Sequence, residues 1–269
     1  MKSEPLISII TVVRNGGKIL EETILSVINQ TYGNIEYIIV DGASTDNTIA
    51  IIKKYENRIN YWVSEPDRGI YDAMNKGLSF TKGIWINFMN CGDKFANSSV
   101  LEDIFSTVYD DKISFLYSDF YMKYNDMDTM GTLHIANYGK GNILHQAILY
   151  KKELHEKLGY YIVTNKIIIS DYLFFCSVDL NCIQKIDTPI SINETNGVSS
   201  ESWCYRQKIC ADYIFRRISF CQFIHLLTLH FFKQILKKIL GINTSKMLVK
   251  KYMEFKRTKR CLIVNEAIT

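Results

Sequence analysis

Four short apolar runs separated by three stretches of helical spacing occupy the first ninety residues, and few folds accommodate that order. The runs are "LISIITVV" (6–13), "IEYIIVDG" (35–42), "INYWVSE" (59–65) and "GIWINFMN" (83–90). Each is rich in β-branched and aromatic residues, and the second and fourth are almost unbroken by polar residues. Between them, "KILEETILSVINQ" (18–30) repeats Ile19, Leu20, Ile24, Val27 and Ile28 at helical intervals. "STDNTIAIIKKYEN" (44–57) opens on capping residues, and "GIYDAMNKGLSFT" (69–81) reads as a third helix. Strands that alternate with helices and are apolar on both faces imply a mostly parallel sheet sandwiched by helices, an α/β fold.

In such sheets ligands bind at the carboxyl ends of the strands. Asn15, Asp41, Glu65 to Asp67 and Asp93 all fall there. Asp93 lies in "INFMNCGDKF" (86–95), where an apolar strand ends in a tight glycine turn and a lone acid. Two readings follow: a loop aspartate ahead of a helix that Asn97 or Ser98 opens, or a carboxylate held out to grip a cation or a phosphate. No GxGxxG follows the first strand, only Gly16-Gly17, and no GxxxxGK[ST] occurs anywhere. Dinucleotide dehydrogenases and P-loop ATPases are therefore poor fits.

The chain has 269 residues, enough for one large domain or a domain with an appendage. Its seven cysteines include no CxxC, which argues against a zinc site or a disulfide framework and favours a reducing cytoplasm. No signal peptide is expected at "MKSEPLISII".

The segments "PLISIITVVRNGGKILEETILSVINQTYGNIEYIIVDGASTDNT" and "SEPDRGIYDAMNKGLSFTKGIWINFMNCGDKF" resemble the family-two glycosyltransferases, which have the GT-A fold. The nearest subgroup builds O-antigen, capsule and colanic-acid-type polysaccharides in bacteria. The resemblance is specific from about residue 5 to 100 and continues more weakly through "HQAILYKKEL", "ISDYLFF" and "ETNGVSS" to about 200. It implies an inverting transfer of a sugar, from a donor such as a UDP-hexose or UDP-N-acetylhexosamine, to a lipid-diphosphate-linked saccharide. The leaving diphosphate gathers negative charge, which a divalent cation (Mn2+ or Mg2+) offsets. Where the family carries an Asp-x-Asp pair, this chain has Asn90-Cys91-Gly92-Asp93. Asp93 is thereby the expected ligand of the metal or the diphosphate.

By the same resemblance Thr11, Asp41, Asp67, Asp72, Asn75 and His145 contact the nucleotide sugar, with Asp41 toward the uracil or ribose and Arg68 toward the phosphates. Their sequence contexts also admit structural roles: a turn acid before Gly42, a first-turn helix acid at Asp72, a buried histidine at 145. An inverting reaction needs a base for the acceptor hydroxyl. Asp171, in "KIIISDYLFF", matches the family segment that carries it; helix capping is the competing role, with Ser170 the better cap. Asp119 also ends an apolar run.

Charge divides the chain into a catalytic region (1–200) and a basic helical tail (201–269). Residues 202–260 hold fourteen Lys and Arg against two Asp and Glu, leaving eighteen against twenty-six elsewhere. Within the tail, "ISFCQFIHLLTLHFF" (218–232) carries no formal charge and is flanked by Arg216-Arg217, Lys233 and Lys237-Lys238. It is too short to span a bilayer. It reads as an amphipathic helix at an anionic membrane surface, peripheral at the cytoplasmic face, or else as a helical hairpin packed on the core. No nucleic-acid motif accompanies it. The rival to an enzyme is a catalytically silent nucleotide-sugar binder or scaffold of the same fold at the membrane, for which the thinned acid motif is the best support.

Overall fold

The computed structural model describes residues 4–124, 130–194 and 202–240. The four sequence-defined strands form as β1 (Ile7–Val13), β2 (Ile35–Asp41), β3 (Tyr61–Ser64) and β4 (Trp85–Phe88). The helices between them are α1 (Leu20–Ile28), α2 (Thr48–Lys54) and α3 (Ile70–Phe80). β5 (Lys94–Phe95), α4 (Val100–Phe105), β6 (Phe115–Ser118), β7 (Phe120–Lys123) and β8 (Thr132–His134) follow. The chain continues through β9 (Ile148–Lys151), α5 (Glu153–Leu158), α6 (Ser170–Cys176), β10 (Ile183–Ile186) and β11 (Ser191–Glu194) to α7 (Ser202–Ile214) and α8 (Phe220–Leu240).

The main sheet has seven strands in the order β10-β6-β9-β4-β1-β2-β3. All its pairings are parallel except those of β9, which runs antiparallel to both β4 and β6. Reversal of β9 brings its entry, the 3-10 turn His145–Ala147, to the edge where β4 ends. A second, smaller sheet pairs its strands in the order β5-β11-β7-β8.

The period of two along β1 divides the core. Ile7, Ile9 and Val13 pack with Leu20, Ile24 and Val27 of α1, whereas Ile10 and Val12 pack with Met74 and Leu78 of α3. Full burial of each such side chain contributes about 1.5–3 kcal/mol, so the register of β1 is fixed from both sides. α3 lies close on the sheet because Gly77 leaves no side chain there; a Cβ would stand 2.5 Å from Ile10 Cγ2.

Two compact units divide at Ala211/Asp212, not near residue 200. The reason is local: Cys204 and Ala211 of α7 are buried with Ile169 and Tyr172 of the first unit. The expected tail from residue 241 onward lies outside the described residues.

Candidate active site

The loops that leave β1 and β2 are laced together. The Asn15 N–H donates to Ser44 Oγ (2.7 Å), Gly16 N–H to Thr48 Oγ1 (3.0 Å) and Gly17 N–H to Asp46 Oδ2 (3.0 Å). Asp41 is the hub of the second loop. It is fully buried, and its oxygens accept from the Ser44 N–H (2.9 Å), the Ser44 hydroxyl and the Ser64 hydroxyl (2.6 Å). The structure thus gives Asp41 the turn-organising role and leaves Ser44, Asn15 and Ala43 nearer the surface.

Thr11 is placed differently from the expected nucleotide contact. It lies inside β1, fully buried on the α1 face, where its hydroxyl donates to the Met89 carbonyl (2.7 Å) and meets the Tyr37 hydroxyl (3.0 Å). Asn75 clamps backbone: its amide donates to the Tyr161 carbonyl (2.8 Å) and accepts from the Tyr161 N–H (3.1 Å). Asp72 takes the first-turn position of α3 and holds the exposed Arg68 guanidinium at 2.7 Å. That hydrogen bond leads the causes that keep the Asp72 carboxyl below the ordinary carboxylate range. Half-buried Asp67 accepts from the Gly69 N–H (2.8 Å), and Asp119 is paired with Lys185 at 2.7 Å.

Asp93 is a correction to the sequence reading. An open loop carboxylate was expected; instead Gly92, at φ +100°, turns the chain so that Asp93 is only 8% exposed. The Thr23 hydroxyl, from α1, pins the turn by donating to the Asp93 carbonyl (2.8 Å). One carboxylate oxygen accepts from Gln146 Nε2 (2.5 Å) and the other from the Glu194 N–H (3.2 Å). Burial pushes the Asp93 carboxyl up to about 7 against the pull of those two donors. A cation here would share Asp93 with both N–H groups. Among the described residues no cluster of three His, Cys, Asp or Glu side chains gathers to complete a ligand set. Asp93 is thus the acid of this turn that would hold a Mn2+ or Mg2+, with the donor's diphosphate oxygens and water making up the rest of the shell. Asn90, in the same turn, keeps a buried side-chain oxygen without a partner.

His145 and Gln146 are adjacent, and they join the two acids of the site. While Gln146 holds Asp93, His145 Nδ1 lies 3.2 Å from Asp171 Oδ2. His145 is 7% exposed, against the rings of Phe88 and Phe175. Asp171 occupies the first turn of α6, which Ile169 caps; Ser170 accepts from the Ile162 N–H (2.5 Å). Neither residue is the cap. Asp171 turns instead toward Tyr71 of α3, whose hydroxyl lies 2.6 Å from Oδ1, and keeps 23% of its side chain accessible. Burial raises the Asp171 carboxyl, but the hydrogen bonds and charge of His145 and the Tyr71 hydroxyl outweigh it and leave it below the ordinary range. The result is an ionised, solvent-reachable carboxylate fixed from two sides. Tyr71 and Gln146 carry these contacts, and spacing alone singles out neither.

The sequence model of "Glycosyl transferase family 2" matches residues 8–173. An uncharacterized glycosyltransferase of Mycobacterium tuberculosis (strain H37Rv) is 40% identical over 102 residues, covering 38% of this chain and 39% of that protein. A "PGL/p-HBAD biosynthesis glycosyltransferase" of the same organism is 30% identical over 162 residues, 58% of this chain and 63% of the relative. The chain thus spans less than two thirds of the length of either curated relative. Among solved structures, Staphylococcus aureus TarS 1–349 in complex with UDP-GlcNAc superposes with a TM-score of 0.64 at 19% identity, covering 88% of this chain and 72% of that one. A mannosyltransferase from Pyrobaculum calidifontis, in complex with GDP-Man and Mn2+, gives 0.62 at 14% identity over 94% and 81%. At these identities the superpositions speak for the fold.

Proposed function

The chain belongs to glycosyl transferase family 2, and from that premise we propose that it is an inverting transferase with Asp171 as its base. It takes a sugar from a nucleotide-sugar donor, a UDP-hexose or UDP-N-acetylhexosamine, and passes it to a lipid-linked saccharide in bacterial surface polysaccharide synthesis, such as O-antigen or capsule. The observation that carries the reading is Asp171: a half-buried carboxylate, held by His145 and Tyr71, at the sheet edge where family members bind their donors.

In the reaction the acceptor hydroxyl gives its proton to Asp171 as its oxygen attacks the anomeric carbon. The nucleoside diphosphate departs with the bonding pair from the opposite face. The carboxylate is ionised before the step, as a base must be. Arg68, anchored by Asp72, offers a fixed cation at the β3 end of the same edge. The interlocked loops after β1 and β2 present backbone and hydroxyl groups for the nucleoside. A divalent cation held by Asp93 and the diphosphate would neutralise the charge of the leaving group.

We place the acceptor at a membrane because α8 carries exposed Phe220, Ile224, Phe231 and Phe232 together with Lys233 and Lys238, and Arg216 stands in the turn just before it. Among the described residues no helix is long and apolar enough to cross a bilayer. An interfacial position is the remaining way for this helix to meet lipid.

Buried Asp41 and Asp93 favour one alternative, a silent nucleotide-sugar binder. Incubation with UDP- and GDP-linked sugars and extracted bacterial lipid separates the two. The transferase releases nucleoside diphosphate and labels the lipid fraction. Binding seen by thermal shift, without release from any donor, would identify the silent protein.

A further inference from the structure

The Tyr71 hydroxyl stands between two acceptors. Asp171 Oδ1 lies 2.6 Å away and the Ile168 carbonyl oxygen 2.8 Å away. A phenol has one proton to donate, so it serves one of these oxygens fully at a time. Both acceptors come from the segment entering α6, roughly a hundred positions from Tyr71, and the phenol is itself buried in the α3 face of the core.

We propose that Tyr71 is a positioning residue for Asp171: its hydroxyl donates to Oδ1 while the carboxylate is ionised, and turns to the Ile168 carbonyl once Oδ1 has taken the acceptor's proton. This rests on Asp171 being the base. It adds a reason why the site accommodates both protonation states without an unsatisfied buried group.

The acceptor O–H bond breaks and H–Oδ1 forms; the electron pair of the acceptor oxygen enters the new glycosidic bond, and the diphosphate leaves with its own pair. Oδ1 is now a donor. Tyr71 accepts that proton as a hydrogen bond and rotates its own O–H onto Ile168, with no bond of the tyrosine made or broken. The accessible part of the Asp171 side chain returns the proton to water afterwards.

The surroundings leave Tyr71 with this role. Burial, then the Asp171 charge, raise the phenol far above its ordinary range, so it keeps its own proton throughout the working pH range while its oxygen remains free to accept one hydrogen bond. The other titratable groups facing the pair are His145 before β9, Tyr150 of β9, Tyr161, and Cys204 of α7. His155 stands behind Tyr150 (2.9 Å), and burial takes it down to about 4. On α3 itself, Asp72 is occupied with Arg68 and Lys76, and Lys208 of α7 lies over the ring of Tyr172. Of these, His145 is the one other side chain within hydrogen-bonding reach of the carboxylate.

The test uses the full chain labelled with 13C at the aspartate carboxyl carbon, and the Asp171 signal is assigned by its loss in Asp171→Asn. In the wild type it titrates below about 3.9, within the pH range over which circular dichroism shows the chain folded. In Tyr71→Phe its midpoint rises by about one pH unit, since a hydrogen bond to a charged group is worth more than one to a neutral group. Equal behaviour in the two chains, or a wild-type midpoint above 3.9, overturns the proposal. Should Tyr71→Phe fail to fold, 13Cζ-tyrosine in the wild type reads the same event. The Tyr71 signal must move on lowering the pH toward the Asp171 transition, and a Tyr71 carbon indifferent to pH overturns the proposal equally. Turnover of Asp171→Asn is a separate measurement. If that variant is fully active, the base assignment fails; if it is inactive while Tyr71→Phe leaves the midpoint unmoved, the positioning role alone fails.

Discussion

A carboxyl group that burial makes harder to ionise in the folded state makes stability depend on pH, and Asp93 is such a group. Its native value is pushed by burial from 3.8 to about 7. Between about pH 4 and 7 the native chain holds a proton that the unfolded chain has released, so stability falls as pH rises through that window. Three pH units correspond to up to about 4 kcal/mol. Asp93→Asn removes the titration, and Gln146 can turn its amide to meet the new side chain. Urea denaturation at pH 5 and pH 8 should therefore show a smaller loss of stability in Asp93→Asn than in the wild type; identical losses would rule out the buried, protonated carboxyl. The sequence identified Asp93 but not its burial. Its partners Thr23, Gln146 and Glu194 lie 70, 53 and 101 positions away, and strand-end position says nothing about what closes over a side chain. Asp171 shows the converse. Its segment was legible by resemblance, yet Tyr71 was not, because a tyrosine in the first turn of an amphipathic helix reads as a core residue.

Among the elements, α3 bears most directly on the site, because it carries Tyr71 to Asp171 and its seat on the sheet is set by Gly77. Alanine there gains up to about 1 kcal/mol of helix propensity. It also drives a methyl group to 2.5 Å from Ile10 Cγ2, on a rigid, fully buried, β-branched side chain. Overpacking of that kind costs about 1–3 kcal/mol and outweighs the gain. Gly77→Ala should unfold at lower urea than the wild type; a variant of equal or greater stability would mean that α3 does not rest on β1 as described. The first four strands and three helices were legible because each shows its own period within a few residues of chain. β9 was not. Its reversal, and the His145-Gln146 turn that this delivers to the end of β4, depend on pairing with Trp85 and Ile86 more than sixty positions earlier, and periodicity reveals an element without naming its partner.

On the scale of the whole molecule, an acidic region is followed by a strongly basic segment. Each Lys or Arg near an anionic leaflet contributes about 1 kcal/mol, and salt screens that term while leaving the apolar contact of α8 in place. Binding to phosphatidylserine-containing vesicles should thus weaken at high salt without disappearing; a chain that ignores such vesicles at low salt would refute the membrane position. The asymmetry was legible from composition, but the boundary at Ala211/Asp212 was not, since the packing of Cys204 and Ala211 on Ile169 and Tyr172 has no signature in charge. The central claim, sugar transfer with Asp171 as base, is tested most directly by single-turnover transfer of label from a bound nucleotide sugar to extracted lipid acceptor, in wild type and Asp171→Asn. The expected result is labelled lipid from the wild type, with transfer about a hundredfold or more slower in the variant at unchanged donor affinity. Equal transfer by the two chains, or none by either from any bound donor, would contradict it.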